Sequence, residues 1–281
     1  MMRVAIVGAG TMGTRLALRS AAHGCPTTLI ARDPQRAALA LEDAARESGL
    51  DASSVTIGED LHAAANAELV AEAIPEDLAK KQALYRALDA IVGGHVPIAS
   101  GTSTFVPERL GAGVPHAGRI VVAHMVHPVT LCPIVEVVPP AEADTAALAT
   151  VEAWLGALAM RPVRLRAPVT GFIINRLQFA LVREAANLVE RGVAAAADVD
   201  AIVELALGPR WAATGPLASV DLGGRATFAD VARSVVPDLD ARERIPLLDG
   251  AGGALRAWRE GELDEARARR RRVYDAIDAA R

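Results

Sequence analysis

The first thirteen residues constrain the fold more than any other stretch. Arg3-Val-Ala-Ile-Val7 is a short β-branched apolar run with the character of a buried parallel strand. Gly8-Ala-Gly-Thr-Met-Gly13 follows at once, and then a helical pattern through Leu16, Ala17 and Ala21. A G-x-G-x-x-G turn between strand and helix is a dinucleotide-binding element, because each glycine answers a steric demand. Gly8 permits the tight turn, Gly10 lets the backbone approach a pyrophosphate, and Gly13 lets the helix pack close to the strand. The helix start, at Thr11 and Met12, offers N–H donors and positive dipole to the phosphates. A second strand, Thr27–Ile30, follows a Gly24-Cys-Pro turn at the distance such a unit requires, so an ordinary glycine-rich turn is the lesser reading.

The end of that second strand is where the adenosine ribose is read, commonly by a carboxylate. Here Ala31 occupies the matching position, followed by Arg32 and Asp33. Loss of the carboxylate removes repulsion against a 2′-phosphate, and an adjacent guanidinium binds one. The expectation is NADP(H), with NAD(H) as the alternative should Asp33 reach the ribose while Arg32 stays solvated.

Strand-like runs recur at Val4–Val7, Thr27–Ile30, Leu69–Ala73, Pro97–Ser100, Ile120–Ala123, Ile134–Val138 and Val163–Arg166, with helical segments between most of them. This alternation predicts an α/β, Rossmann-type doubly wound parallel sheet over residues 1–167. From 168 to 281 the pattern is helical. Ile174, Leu177, Leu181, Ala185 and Leu188 share a stripe, and breaks fall at Gly208-Pro, Gly215-Pro, Gly223-Gly and Gly250 to Gly253. So many apolar stripes in a smaller all-α domain predict a substrate and dimerisation role and a homodimer.

Composition excludes several classes. No run reaches the roughly eighteen apolar residues of a membrane span, and the first strand begins too early for a signal peptide. Cys25 and Cys132 suggest neither a disulfide scaffold nor a metal site, so a cytoplasmic location is expected. A net charge of −4 speaks against nucleic acid as a partner, leaving a small-molecule substrate. The arginine run from Arg267 to Arg272 alternates with acids on a predicted helix and reads as a solvated face. The only lysines, Lys80 and Lys81, suit either a ribose-phosphate contact or a solvated helix.

A histidine and a glutamate, His124 and Glu136, stand twelve positions apart in the apolar run from Ala123 to Val138. Neither suits such surroundings unless they meet each other or a ligand. A carboxylate on one imidazole nitrogen sets the tautomer and raises the basicity of the other, which is the make-up of a general base. Buried structural His–Glu pairs are the competing explanation.

With these residues in view, the chain resembles the 3-hydroxyacyl-CoA dehydrogenase family up to about residue 223. The family's Ser-Asn-Thr-Ser-Ser segment appears as Ser100-Gly-Thr-Ser-Thr104, which places the substrate-contacting serine at Ser103. The family's steps to its catalytic histidine and glutamate land on His124 and Glu136. Its Gly-Phe-Ile-x-Asn-Arg helix start appears as Gly171-Phe-Ile-Ile-Asn-Arg176, giving Asn175 as the fourth site residue. Glu76 and Lys81 match the segment that approaches the nicotinamide ribose. The resemblance implies a CoA-thioester substrate oxidised or reduced at C3, with His124 moving the hydroxyl proton. Glu136 would hold the imidazole, and Ser103 and Asn175 would align the substrate oxygen.

Two departures stand out: Gly101 replaces the family's asparagine, and Val126-His127-Pro128 replaces Phe-Asn-Pro. His127 reads more readily as structural than as catalytic. Gly208-Pro-Arg-Trp-Ala-Ala-Thr-Gly-Pro216 and the Asn175-Arg-Leu-Gln178 helix start are similar to the L-carnitine and L-gulonate 3-dehydrogenases, which act on free acids. That branch makes Arg210 a candidate partner for a substrate carboxylate, unless it braces a loop. Two rivals remain. The 6-phosphogluconate type uses a lysine on the interdomain helix, and Phe172–Arg191 holds none. A non-catalytic NAD(P)-binding protein, like the family's lens crystallin relative, would not need Ser103, His124, Glu136 and Asn175 together.

Overall fold

The computed structural model describes residues 1–249, 259 and 261–279, so the expected break at Gly250 to Gly253 lies outside the described residues. Two compact units divide the chain, Met1–Asn175 and Arg176–Arg281. The sequence placed the change of character at 168; the division falls instead within the first turn of the long helix that begins at Phe172.

The first unit is an eight-stranded sheet flanked by helices. In chain order its elements are β1 (Val4–Val7), α1 (Thr11–Ala22), β2 (Thr27–Ile30), α2 (Pro34–Ser48), β3 (Val55–Gly58) and β4 (Leu69–Glu72). They continue with α3 (Leu78–Val92), β5 (Ile98–Ser100), α4 (Pro107–Gly111), β6 (Ile120–Met125), β7 (Ile134–Val138), α5 (Thr145–Ala157) and β8 (Arg161–Arg164). The strand order is β3-β2-β1-β4-β5-β6-β7-β8, and the order in which strands are added reverses between β1 and β4, the switch point that opens a ligand crevice in doubly wound sheets.

The sheet is parallel through β6, but β7 runs antiparallel to β6 and β8 parallel to β7. Residues 126–133 hold no helix and are too few for a crossover, so the chain turns back as a hairpin. β3 was not among the expected strands. Only Val55 and Ile57 are apolar in it, and it lies at the sheet edge. The last strand falls two residues earlier than expected, at the opposite edge, where Pro162 removes no needed donor.

Alternation along the strands builds two cores. Ile6, Leu29, Ala71, Val121, Ala123, Val135 and Val137 pack with α1, α2 and α5. Val7, Ile30, Val70, Ile98, Val122 and Val138 pack with α3, α4 and Phe172. Counting by twos puts Glu72, Ser100, His124 and Glu136 on this second face, all buried.

The second unit comprises most of α6 (Phe172–Glu190), then α7 (Ala196–Ile202), α8 (Gly208–Gly223), α9 (Arg225–Val235), α10 (Pro246–Asp249) and α11 (Glu262–Ala279). A π-helical turn, Val203–Leu207, runs straight into α8, so Gly208-Pro widens the helix rather than ending it. Gly215-Pro kinks α8, with Gly215 at φ +70°, and Gly224 closes it. Among the described residues of this unit only Ala186 and Ser219 are buried, while Leu205, Leu217 and Leu222 stand 80%, 83% and 76% exposed.

Candidate active site

The glycine turn has the geometry its sequence implies. Gly8 stands at φ +112°, and a β-carbon there would lie 2.6 Å from the Ala73 carbonyl oxygen. One on Gly13 would lie 1.8 Å from the Gly8 carbonyl oxygen, so helix and strand could not approach as they do. The corresponding point on Gly10 meets nothing within 4 Å. No side chain caps α1, and the amides of Thr11 and Met12 have no acceptor within the helix. Open space over Gly10 beside uncapped amides is what a pyrophosphate needs, so these residues fit a dinucleotide. At the end of β2, Ala31 is half-buried and Arg32 is exposed. Asp33 caps α2, accepting from the Arg36 amide at 3.0 Å, so part of its carboxylate is committed there.

His124 and Glu136 are direct cross-strand partners in the β6–β7 hairpin. The twelve-position spacing thus follows from their pairing across the hairpin. The His124 Nδ1 meets Glu136 Oε2 at 2.7 Å. An ionised carboxylate only accepts, so Nδ1 carries the proton and Nε2 the lone pair. Glu136 Oε1 accepts from the amides of Ile173 (2.7 Å) and Ile174 (3.1 Å), at the positive end of α6. Phe172 sits at φ +52°, a left-handed conformation costing a bulky residue about 1–2 kcal/mol. Its fully buried ring packs on His124 at 5.3 Å between centroids, which offsets that cost.

Ser103 lies in a loop gathered by Glu76. Oε1 of Glu76 accepts from the Thr102 hydroxyl (2.5 Å), the amides of Ser103 and Thr104 (both 3.0 Å) and the Thr104 hydroxyl (2.8 Å). Burial pushes the Glu76 carboxyl up, but the Thr102 and Thr104 hydroxyls, the Lys81 charge and the Ser103 amide outweigh it and hold it below its ordinary value. Asn175 donates to the Ser103 carbonyl at 3.0 Å, tying the start of α6 to this loop. Gly101 has a local reason: a β-carbon there would come within 2.7 Å of the Glu72 carbonyl oxygen, which accepts the Gly101 amide.

Lys81, expected at the nicotinamide ribose, is a buried side chain of α3. Its ammonium meets Glu72 at 2.6 Å, the Ile74 carbonyl at 3.3 Å and Glu76 at 3.3 Å. The other Glu72 oxygen accepts from Tyr85 (2.7 Å) and Ser100 (2.8 Å). Lys80 takes the solvated option, paired with Asp77. His127 is exposed. Arg210, in the second unit, is exposed on α8, and its carbonyl accepts from Thr214. Among the described residues no group of His, Cys, Asp and Glu could hold a metal ion, and no helix is long and apolar enough to cross a membrane.

Sequence reasoning passed over Glu72, Tyr85, Ser100, Thr102, Thr104 and Phe172. A glutamate ending the apolar strand Leu69–Glu72 was a visible sign of a buried carboxylate in need of donors.

A glycine turn open to a pyrophosphate, on the same sheet as a histidine whose free nitrogen is set by a carboxylate, defines a Rossmann-fold oxidoreductase. The family models of the 3-hydroxyacyl-CoA dehydrogenase NAD-binding domain and C-terminal domain match residues 3–167 and 171–254. The chain belongs to the 3-hydroxyacyl-CoA dehydrogenase family and is an NAD-dependent oxidoreductase of it. The lambda-crystallin homolog of Homo sapiens is 32% identical over 245 residues, covering 81% of this chain and 77% of the relative. L-carnitine dehydrogenase of Oceanobacillus iheyensis is 32% identical over 238 residues, covering 80% and 76%. A solved 5-formyl-3-hydroxy-2-methylpyridine 4-carboxylic acid 5-dehydrogenase, described as an NAD+-dependent dismutase, matches with TM-score 0.87 at 29% identity. It covers 99% of this chain and 98% of that one. The NADP(H) preference expected from Ala31 and Arg32 has no counterpart in these comparisons.

Proposed function

We propose that the protein is an NAD(H)-dependent dehydrogenase interconverting a small hydroxy acid and its oxo form, with His124 as general acid and base. The observation that carries this reading is the 2.7 Å contact that leaves Nε2 of His124 as the free, basic nitrogen. The bound dinucleotide would accept or supply the hydride. His124 takes the proton from the substrate hydroxyl, or returns it in the reductive direction. Glu136 keeps the imidazole oriented and offsets its charge, while Ser103 and Asn175 align the reacting oxygen.

Gly8, Gly10, Thr11, Met12 and Gly13 would hold the pyrophosphate, Ala31 and Arg32 would border the adenosine ribose, and Glu76 the nicotinamide ribose. A free carboxylate on the substrate is supported by the likeness to a carboxylic-acid dehydrogenase along almost the entire chain and by the Arg210 segment. A CoA thioester is the second reading, favoured by the family models on both parts of the chain. We infer that residues 168–281 serve substrate binding and self-association. A helical unit with so little of its own apolar surface buried favours a homodimer, which sedimentation would reveal as twice the chain mass. Two buried free cysteines suit a reducing cytoplasm.

The test is oxidation of NADH and of NADPH side by side with acetoacetyl-CoA, together with NAD+ reduction by a panel of free 3-hydroxy acids. Turnover of free acids with NAD(H) is expected. Turnover with NADPH strongly preferred would restore the Ala31–Arg32 argument. Cofactor binding with no turnover of either class would replace the dehydrogenase by a non-catalytic NAD-binding protein.

A further inference from the structure

Arg19 is a charged side chain buried where the reaction has no evident use for it. It stands in the last turn of α1, 7% exposed, and its guanidinium reaches two stretches of chain at once. Nη1 donates to the carbonyls of Val129 (2.8 Å) and Cys132 (3.4 Å), within residues 126–133 that join β6 to β7. Nε donates to the Leu158 carbonyl (2.9 Å) and Nη2 to that of Ala159 (3.1 Å), between α5 and β8. A planar fork of donors serves carbonyls lying in several directions, which an ammonium, a single point with three protons, cannot. A buried ionic group is a weak source of stability, since well-packed apolar residues often serve as well. What the guanidinium adds is direction.

That direction matters because of what the two elements carry. The β6–β7 turn starts just beyond His124 and ends just before Glu136, at the carboxyl end of β6, where doubly wound sheets receive their ligands. The helix α1 offers its first amides to the dinucleotide. We propose that Arg19 is a positioning residue: it pins the β6–β7 turn to the dinucleotide-binding helix, so that the chain beside His124 and the helix under the cofactor move as one body. With the guanidinium gone, the turn would shift by about the ångström that a positioned reaction does not tolerate. The proposal rests on the reading of His124 as the general base.

The experiment compares Arg19→Met with Arg119→Met in the full chain. Arg119 is another buried arginine, donating to the Gly93 (2.8 Å) and Val96 carbonyls and to Asp89 (3.0 Å), but it directly precedes β6, at the end of the strand away from the turn. Inside the turn the Leu131 and Cys132 amides both donate to the Pro128 carbonyl, at 3.0 and 2.9 Å, and their hydrogen exchange in the ligand-free protein reports whether the turn keeps its shape. NAD+ affinity is read by calorimetry, and kcat and KM well below the melting temperature, with the hydroxy substrate that the wild type oxidises. Arg19→Met is expected to speed exchange at both amides about tenfold and lower kcat about ten- to a hundredfold, with NAD+ Kd and KM within about threefold. The pH dependence of kcat/KM should not move, since the contact of His124 with Glu136 is untouched. Arg119→Met is expected to lower the melting temperature while leaving turn exchange and kcat near wild type. Should either methionine variant fail to fold, the lysine variant at the same position takes its place, and Arg19→Lys must show the same pattern at smaller size.

Unchanged turn exchange or unchanged kcat in the Arg19 variant overturns the proposal, and so does the same rise in exchange in the Arg119 variant. An NAD+ Kd that rises in step with the loss of kcat/KM also overturns it, because Arg19 would then act on the cofactor site alone. A wild type that oxidises no hydroxy acid or thioester would sink the functional reading, while exchange would still decide whether Arg19 holds the turn.

Discussion

Replacing Glu136 by glutamine is the sharpest probe of the site, because the structure dictates how the new side chain must sit. Glu136 now accepts three N–H groups, those of Ile173 and Ile174 on one oxygen and His124 Nδ1 on the other. Glutamine has one oxygen and one NH2. With its oxygen toward His124, the NH2 would face two helix amides and leave both without their acceptor, costing about 1–3 kcal/mol each. With its oxygen on the amides, only one contact is disturbed, so this orientation wins by a few kcal/mol. The NH2 then points at His124 Nδ1, which must become the acceptor. The imidazole proton moves to Nε2, the nitrogen that has to take the substrate proton. Alcohol oxidation in Glu136→Gln should therefore fall by about two to four orders of magnitude, equivalent to about 2.7–5.4 kcal/mol in the barrier. The loss of charge at the start of α6 should cost a further ~1–2 kcal/mol of stability. The assay is kcat for hydroxy-acid oxidation, beside NAD+ affinity and a thermal melt. A folded variant turning over within about threefold of wild type would refute both the tautomer argument and His124 as the base.

Other outcomes follow from the same geometry. His124→Ala should leave cofactor affinity nearly intact, measured by calorimetry, while turnover drops by about two to four orders of magnitude. Gly10→Ala should melt like wild type, since nothing lies within 4 Å of the added carbon, yet bind NAD+ at least about tenfold more weakly because that carbon fills the phosphate's space. Gly13→Ala, with its carbon 1.8 Å from a backbone oxygen, should lose stability as well as binding, visible in the same two measurements. Glu76 titrates below its ordinary value of 4.5, so its share of stability is present above that pH and disappears as the pH falls through its lowered value in the folded state. Melting temperature against pH should show a decline below about pH 4.5 in wild type that is reduced in Glu76→Gln.

The parts of the molecule that could be read in the sequence are those whose constraint is local. Gly8 and Gly13 are forced by atoms within a few ångströms, and the strand and helix flanking them carry their own periodicity. The pairing of His124 with Glu136 was legible because two polar residues interrupt one apolar run, although the hairpin that joins them was not. Alternation in Ile134–Val138 shows which residues face which way and is silent on whether the strand runs up or down; the short turn decides that. β3 escaped because an edge strand with two apolar residues leaves little pattern. Lys81 shows a different limit. Its three acceptors come from Glu72, Ile74 and Glu76, and no local rule says that a lysine next to solvated Lys80 will turn inward to meet all three. Arg210 is similar, since a position on α8 carries no information about what the guanidinium meets.

Two carboxylates frame the site in the same way, and this explains why so few side chains suffice. Glu136 binds the first amides of α6 and orients His124; Glu76 binds the amides of the loop that carries Ser103. Each therefore fixes a stretch of backbone as well as a side chain. Asn175 then links the two stretches by donating to the Ser103 carbonyl. Histidine, serine and asparagine are consequently positioned by backbone held to two carboxylates, not by side-chain packing alone. Such an arrangement tolerates change in the surrounding apolar residues, where volume is what matters, far better than loss of a single oxygen at Glu76 or Glu136. It also accounts for Gly101, where the loop approaches β4 too closely for a β-carbon.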